Sequence, residues 1–165
     1  MSPRLATTLI VTVLAFPLLA RSSDDFQLVS ADEYRRDQAA ANEVTADGRT
    51  RMEVFDEQLW TRALDAPAIQ VVTPDEAAPV RSPVDIFVKF EPAPGAKIAL
   101  DSLHITYGVL GLDVTDRIRH AATVTEQGIR AKGAELPVGA HSMSIEISDT
   151  AGRKSKRKFK FRVGS

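Results

Sequence analysis

The chain has 165 residues, 44% hydrophobic and 26% charged, with a formal net charge of −1 and no cysteine. That composition excludes a disulfide scaffold, a disordered polyelectrolyte and the strongly basic surface of a nucleic-acid-binding domain. Without cysteine the fold has to be held by its core alone, and lipid attachment at a cysteine following a leader is excluded.

The first segment, MSPRLATTLIVTVLAFPLLARSSDD, has the layout of a secretory signal peptide. Arg4 supplies the positive start, and Leu5 to Ala20 is an uncharged run. That run is short for a membrane span, which needs about 20 apolar residues. Cleavage is expected after Ala20 or Ser22, so residues 1–22 are assigned to a leader and the mature protein to the periplasm or the secreted fraction. The alternative for this run is an uncleaved anchor. After cleavage no second run is long enough to span a membrane.

Residues 23–66 form an acidic, alanine-rich segment. Positions 24–66 carry 11 acidic and 5 basic side chains, against 11 acidic and 14 basic over 67–165. Ser30 and Glu33 fit a capping box, which predicts a helix over about 31–42. Its apolar face offers only Tyr34 and alanines, so little is expected to hold it down. NEVTADGRTR reads as loop. In RMEVFDEQLWTRALD, Met52, Phe55, Leu59 and Ala63 fall at helical spacing and predict a second short helix. The segment is therefore expected to be flexible or partly helical.

From Pro67 the texture changes to short β-rich runs separated by turn signals. AIQVVTP ends at Pro74. In SPVDIFVKFEP, Val84, Ile86, Val88 and Phe90 alternate with polar residues, and only Phe87 spoils the polar face. SLHITYG alternates Leu103, Ile105 and Tyr107 against Ser102, His104 and Thr106. LDVTDRI and ATVTEQ are weaker runs, and Gln127-Gly128 offers a turn before IRAKGAEL. HSMSIEIS and KFKFRV complete the set. About seven strands with no helix between them predict an all-β, antiparallel sandwich over residues 67–165.

The closing stretch, LPVGAHSMSIEISDTAGRKSKRKFKFRV, reads as strand, turn, strand. His141, Met143, Ile145 and Ile147 take one face, and Ser142, Ser144, Glu146 and Ser148 the other. Asp149-Thr150-Ala151-Gly152 suits a type I turn. Phe159, Phe161 and Val163 then point inward, so Lys158, Lys160 and Arg162 are expected to point outward. Leu-Pro-x-Gly-x-His, the alternating strand, Asp-x-x-Gly and the final aromatic strand resemble the closing hairpin of bacterial immunoglobulin-like and fibronectin-type-III-like exported domains. DVTDRI is similar to their mid-domain segment. The resemblance implies an immunoglobulin-like sandwich over about residues 68–164. It implies no particular function, because such domains serve adhesion, carbohydrate binding, enzyme support and spacing.

Seven of the ten residues from Arg153 to Arg162 are basic. One reading makes them the solvated face of a terminal strand, where lysine discourages edge-to-edge pairing. A second is a docking surface for the acidic segment 24–66 of the same or another chain. A third is a site for an anionic envelope polymer, with Arg153, Lys154, Lys156, Arg157, Lys158 and Lys160 as the binding residues. Nucleic acid is excluded, because the run lacks exposed aromatics for base stacking.

His141-x-Met143 has the soft-ligand character of a copper site, but its face belongs to the expected core. Asp101, Asp113, Asp116 and Asp149 lack the dense spacing of a calcium loop and are assigned to turns and caps. No G-x-S-x-G, cysteine nucleophile or glycine-rich phosphate loop is present. The expectation is an exported, non-catalytic binding or interaction module with no cofactor, its partner a protein or an envelope polymer. A weak metal-handling protein is the remaining alternative.

Overall fold

The structure is a computed structural model that describes residues 25–57, 60–62 and 66–165. The leader expected at 1–22 lies outside the described residues. No helix among those described is long and apolar enough to cross a membrane.

The chain opens with β1 (Phe26–Gln27), α1 (Ala31–Ala41), α2 (Arg51–Glu57) and β2 (Trp60–Arg62). It continues through β3 (Ala68–Thr73), β4 (Val80–Arg81), β5 (Val84–Glu91), β6 (Ile98–Tyr107) and β7 (Leu112–Asp113). Helix α3 (Thr115–Ala121) follows, then β8 (Ala122–Thr125), β9 (Gly128–Glu135), β10 (Gly139–Asp149) and β11 (Lys154–Gly164).

These strands form two sheets. In the first the order is β1-β9-β5-β3, with β8 also on β9; in the second it is β2-β11-β10-β6-β7, with β4 also on β11. The expected runs become strands because their apolar residues repeat every second position. Val84, Ile86, Val88 and Phe90 of β5 are buried, as are Leu103, Ile105 and Tyr107 of β6. Met143, Ile145, Ile147, Phe159, Phe161 and Val163 join them in one core shared by the two sheets.

The sheets are mixed in orientation rather than antiparallel throughout. β1 runs parallel to β9, and β4 runs parallel to β11. Both are two-residue strands, too short for periodicity to reveal them. They bring the count to eleven strands among the described residues, against about seven expected.

LDVTDRI is mostly a helix. Val114 and Ile118 are both buried, four positions apart, which is the helical repeat. Thr115 replaces a strand partner: its hydroxyl accepts from the Ile105 amide at 2.8 Å and donates to the Ile105 carbonyl at 3.3 Å. Asp113 accepts from the Thr115 amide at 2.8 Å. Local side-chain bonding of this kind gives the backbone an alternative to the ladder.

The second expected helix is cut short. α2 ends at Glu57, and Trp60–Arg62 pairs with β11 as β2. Thr50 and Glu53 cap α2 reciprocally, Glu53 accepting from the Thr50 amide at 2.6 Å.

The core does not begin at Pro67. Leu28 and Val29 are fully buried in it, and Phe26 packs against it. Replacing Phe159, fully buried at the centre of β11, with alanine is expected to cost about 3–5 kcal/mol by loss of transfer energy and cavity formation. Lys154→Ala, at an exposed position of the same strand, should stay within about 0.5 kcal/mol. Urea denaturation of the two variants measures the difference.

Candidate functional site

The β10–β11 hairpin is built as its sequence indicates. His141 pairs with Phe161, Met143 with Phe159, Ser144 with Lys158 and Glu146 with Lys156. At the turn, Asp149 accepts from the amides of Ala151 at 3.0 Å and Arg153 at 2.9 Å. Gly152 takes a positive φ of 78°, a conformation that favours glycine.

The basic run does not form one open cationic face. Arg153 pairs with the buried Asp149 carboxylate at 2.6 Å. Arg157 pairs with Glu76 at 2.5 Å, and Lys156 with Glu146 at 3.6 Å. These three carboxylates belong to residues 67–165, while Trp60–Arg62 of the acidic segment pairs through its backbone with Ser155–Arg157. Lys154 and Lys160 are exposed.

Lys158 departs from expectation. Its alternation with Phe159 predicts a solvent position, but only 7% of its surface is exposed. Ser142 and Ser144, assigned to the solvated face of β10, are also buried. Nor is β11 an edge: β2 covers Ser155–Arg157 and β4 covers Val163–Gly164. Alternation decides which face a residue joins. Whether that face meets water depends on chain distant in sequence, here including α2, whose Met52 lines a hollow with Ala140, Lys160 and Arg162.

Helix α1 is anchored firmly, although its sequence offers few apolar side chains. Ser30 and Glu33 form the capping box, with bonds of 2.9 and 3.2 Å. Glu33 also meets Arg117 of α3 through two bonds, of 2.7 and 3.0 Å. Arg117 reaches the Leu28 carbonyl at 2.9 Å as well. Asp37 is buried, accepts from the Leu110 amide at 3.0 Å and stands against Gly108. Gln38 donates to the Ala140 carbonyl at 3.2 Å. α1 thereby holds the 108–111 loop and the start of β10, which follows the 136–138 link.

Beneath it lies an aromatic cluster. The His141 ring is 5.0 Å from Tyr34 and 5.3 Å from Phe161. His141 Nδ1 lies 2.6 Å from the Tyr107 hydroxyl, and Nε2 lies 2.8 Å from the Pro137 carbonyl. Both ring nitrogens are therefore engaged, and burial holds the imidazole below its ordinary pKa. Both bonds tie His141 into the fold, linking β10 to β6 and to the Pro137 backbone. Burial likewise raises the Asp37 and Tyr107 pKa values.

Of the other candidates, His104 lies on the exposed side of β6, 3.7 Å from Asp113. His120 is exposed on α3, and its Nδ1 is 2.7 Å from the Asp116 carbonyl. Among the described residues no three His, Cys, Asp or Glu side chains gather as a metal site.

A second surface was only hinted at in the sequence, by the apolar Phe87 on an otherwise polar face. In the first sheet Phe87 pairs with Arg130, and Arg130 with Thr123. The Arg130 guanidinium lies 4.2 Å from the Phe87 ring centre, and the Lys89 ammonium 5.6 Å. Opposite Lys89 stands Gly128, where any Cβ would come within 1.9 Å of the Val88 carbonyl oxygen. Beside this close backbone approach lies an open depression of about 480 Å³ whose lining includes Phe87, Lys89, Thr123, Thr125, Gln127 and Arg130. A neighbouring hollow of about 530 Å³ shares Thr123 and Arg130 and adds His120 and Lys132.

No protein-family model matches the chain, and no curated protein matches it either.

Two outcomes follow from the geometry. Lys158→Glu should destabilise the fold clearly, because it reverses the charge at a buried position, whereas Lys154→Glu should be nearly neutral; thermal unfolding compares them. Glu33 is held at about 2 by its bonds to Arg117 and then by the Ser30 amide, below its ordinary 4.5. Its stabilisation is complete above about pH 4.5 and is lost as the pH falls toward 2. Amide exchange in α1 should accelerate over that interval, and Glu33→Gln should remove that part of the dependence.

Proposed function

We propose that the protein is an exported, non-catalytic interaction module built on an immunoglobulin-like sandwich. Setting aside the two- and three-residue strands β1, β2, β4 and β7 leaves seven. They are ordered β3-β5-β9-β8 in one sheet and β6-β10-β11 in the other. In chain order these correspond to A-B-E-D and C-F-G, the arrangement of a constant-type immunoglobulin domain. The short strands and helices are additions to that frame, and residues 1–22 are taken as an export leader.

One observation carries the functional reading. Leu110 and Val138 are exposed, at 53% and 61%, the first on the loop that α1 holds and the second on the link just before the start of β10 that α1 also holds. A large apolar side chain on a braced loop is suited to contact with another protein. The alternative, an anionic polymer on the C-terminal strand, has less support. Arg153, Lys156 and Arg157 already face carboxylates, and Lys158 is buried. A metal-handling role is disfavoured by the engagement of both His141 nitrogens.

Photo-crosslinkers placed singly at positions 110, 138, 154 and 160 distinguish these readings in cells that make the protein. The expected result is one discrete protein adduct from 110 and 138, resistant to salt. Adducts from 154 and 160 alone, lost as salt is raised, would instead favour the polymer.

A further inference from the structure

We propose that the depression over Gly128 binds an anionic sugar, a uronate or sugar phosphate, with Arg130 and Lys89 as the anion-binding groups. The inference rests on reading the chain as a binding module, but it concerns a face of the first sheet distinct from the segments that α1 holds.

Three features support it. First, the charge is available: among the described residues neither Lys89 nor Arg130 forms an ion pair, and the depression is lined by both cations and no carboxylate. Asp25 lines only the neighbouring hollow, and Glu126, in the turn between Thr125 and Gln127, is not part of the lining. Second, the geometry suits an oxyanion. A guanidinium stacked on an aromatic face is fixed in orientation, with its N–H edge free to donate two parallel bonds to a carboxylate or phosphate. Phe87 provides that platform at 4.2 Å. Third, the rest of the lining suits a polyol, because Thr123, Thr125 and Gln127 offer hydroxyl and amide groups at the rim of the same depression.

The lining side chains come from β5, β9 and β8, the last of which is an edge strand paired only with β9. An extended peptide gains affinity from main-chain pairing along a sheet edge, whereas the charged and hydroxyl groups that line the depression are side chains. Recognition here depends on side chains, which favours a sugar over an acidic peptide. The two hollows share Arg130 and Thr123, so a chain of several sugar units can continue from one into the other.

The test titrates the full chain, labelled with nitrogen-15, with a galacturonate hexamer, its methyl ester, glucose 6-phosphate and hexaglutamate. The galacturonate hexamer or the sugar phosphate should shift the amides of Thr123, Gly128 and Arg130, and the response should weaken with salt. Whichever of the two binds identifies the anion as carboxylate or phosphate. Arg130→Ala should weaken binding by roughly tenfold or more, the scale of a lost hydrogen bond to a charged group. Phe87→Ala should weaken it as well, by freeing the guanidinium, and Arg130→Lys should restore only part. Lys156→Ala, at the paired lysine of β11, should change nothing. Circular dichroism checks that each variant is folded.

The proposal is overturned if neither anionic sugar binds, if the neutral ester binds equally well, or if Arg130→Ala binds as the parent does. It is also overturned if hexaglutamate binds as tightly with the same dependence on Arg130. Arg130→Ala should leave crosslinking from positions 110 and 138 intact, so failure at this site is separable from failure of the interaction-module reading.

Discussion

The structure depends on the burial of β10 on both faces. His141, Met143, Ile145 and Ile147 enter the shared core, while Ser142 and Ser144 on the opposite face are also shut away from water. β10 lies between β6 and β11, so its backbone is paired on both sides as well. Over the enclosed stretch a slip of one residue would exchange serines for apolar side chains across the core, and the one shift in the pairing with β6 falls beyond it, between Glu146 and Ser148. The order of the second sheet follows from that constraint. So does the position of the Asp149 turn, which returns the chain as β11 with Phe159 and Phe161 opposite Met143 and His141.

The N-terminal helix illustrates how polar contacts substitute for a missing apolar stripe. α1 contributes little hydrophobic surface, yet Glu33, Tyr34, Asp37 and Gln38 each reach a different part of the domain. Gly108 is fitted to this arrangement. A side chain there would collide with the Asp37 carboxylate, and its φ of 72° favours glycine independently. The buried Asp37 carboxylate is tolerated because amides of the 108–111 loop are directed at it, while desolvation pushes its pKa upward. Polar bonds are directional where apolar contact is not, so they set the loop geometry that the interaction reading relies on.

The two basic surfaces differ in what their charges do. At β11 and the turn before it, three of the six candidate cations serve the fold, neutralising Asp149, Glu146 and Glu76. On the first sheet Arg130 and Lys89 lie over an aromatic ring, and no described carboxylate neutralises them. A density of positive charge in sequence is therefore a poor guide to a binding surface. The denser run is the more fully used internally, and the sparser pair is the one left open.

The amino-acid sequence by itself determined the principal strands, the Ser30 cap and the Asp149–Gly152 turn. Each depends on a repeat of two, or on bonds between residues at most four apart, which are visible in a linear string. Only the tertiary structure decided that LDVTDRI turns helical, since Thr115 finds its partner in Ile105. It likewise decided that Lys158 is covered, that β11 has neighbours on its outer side, and that Arg130 lies on Phe87. The reason is the same in each case. A side chain's face is set by its own backbone, but what lies against that face is contributed by residues far away in the chain, and no local pattern encodes that distance.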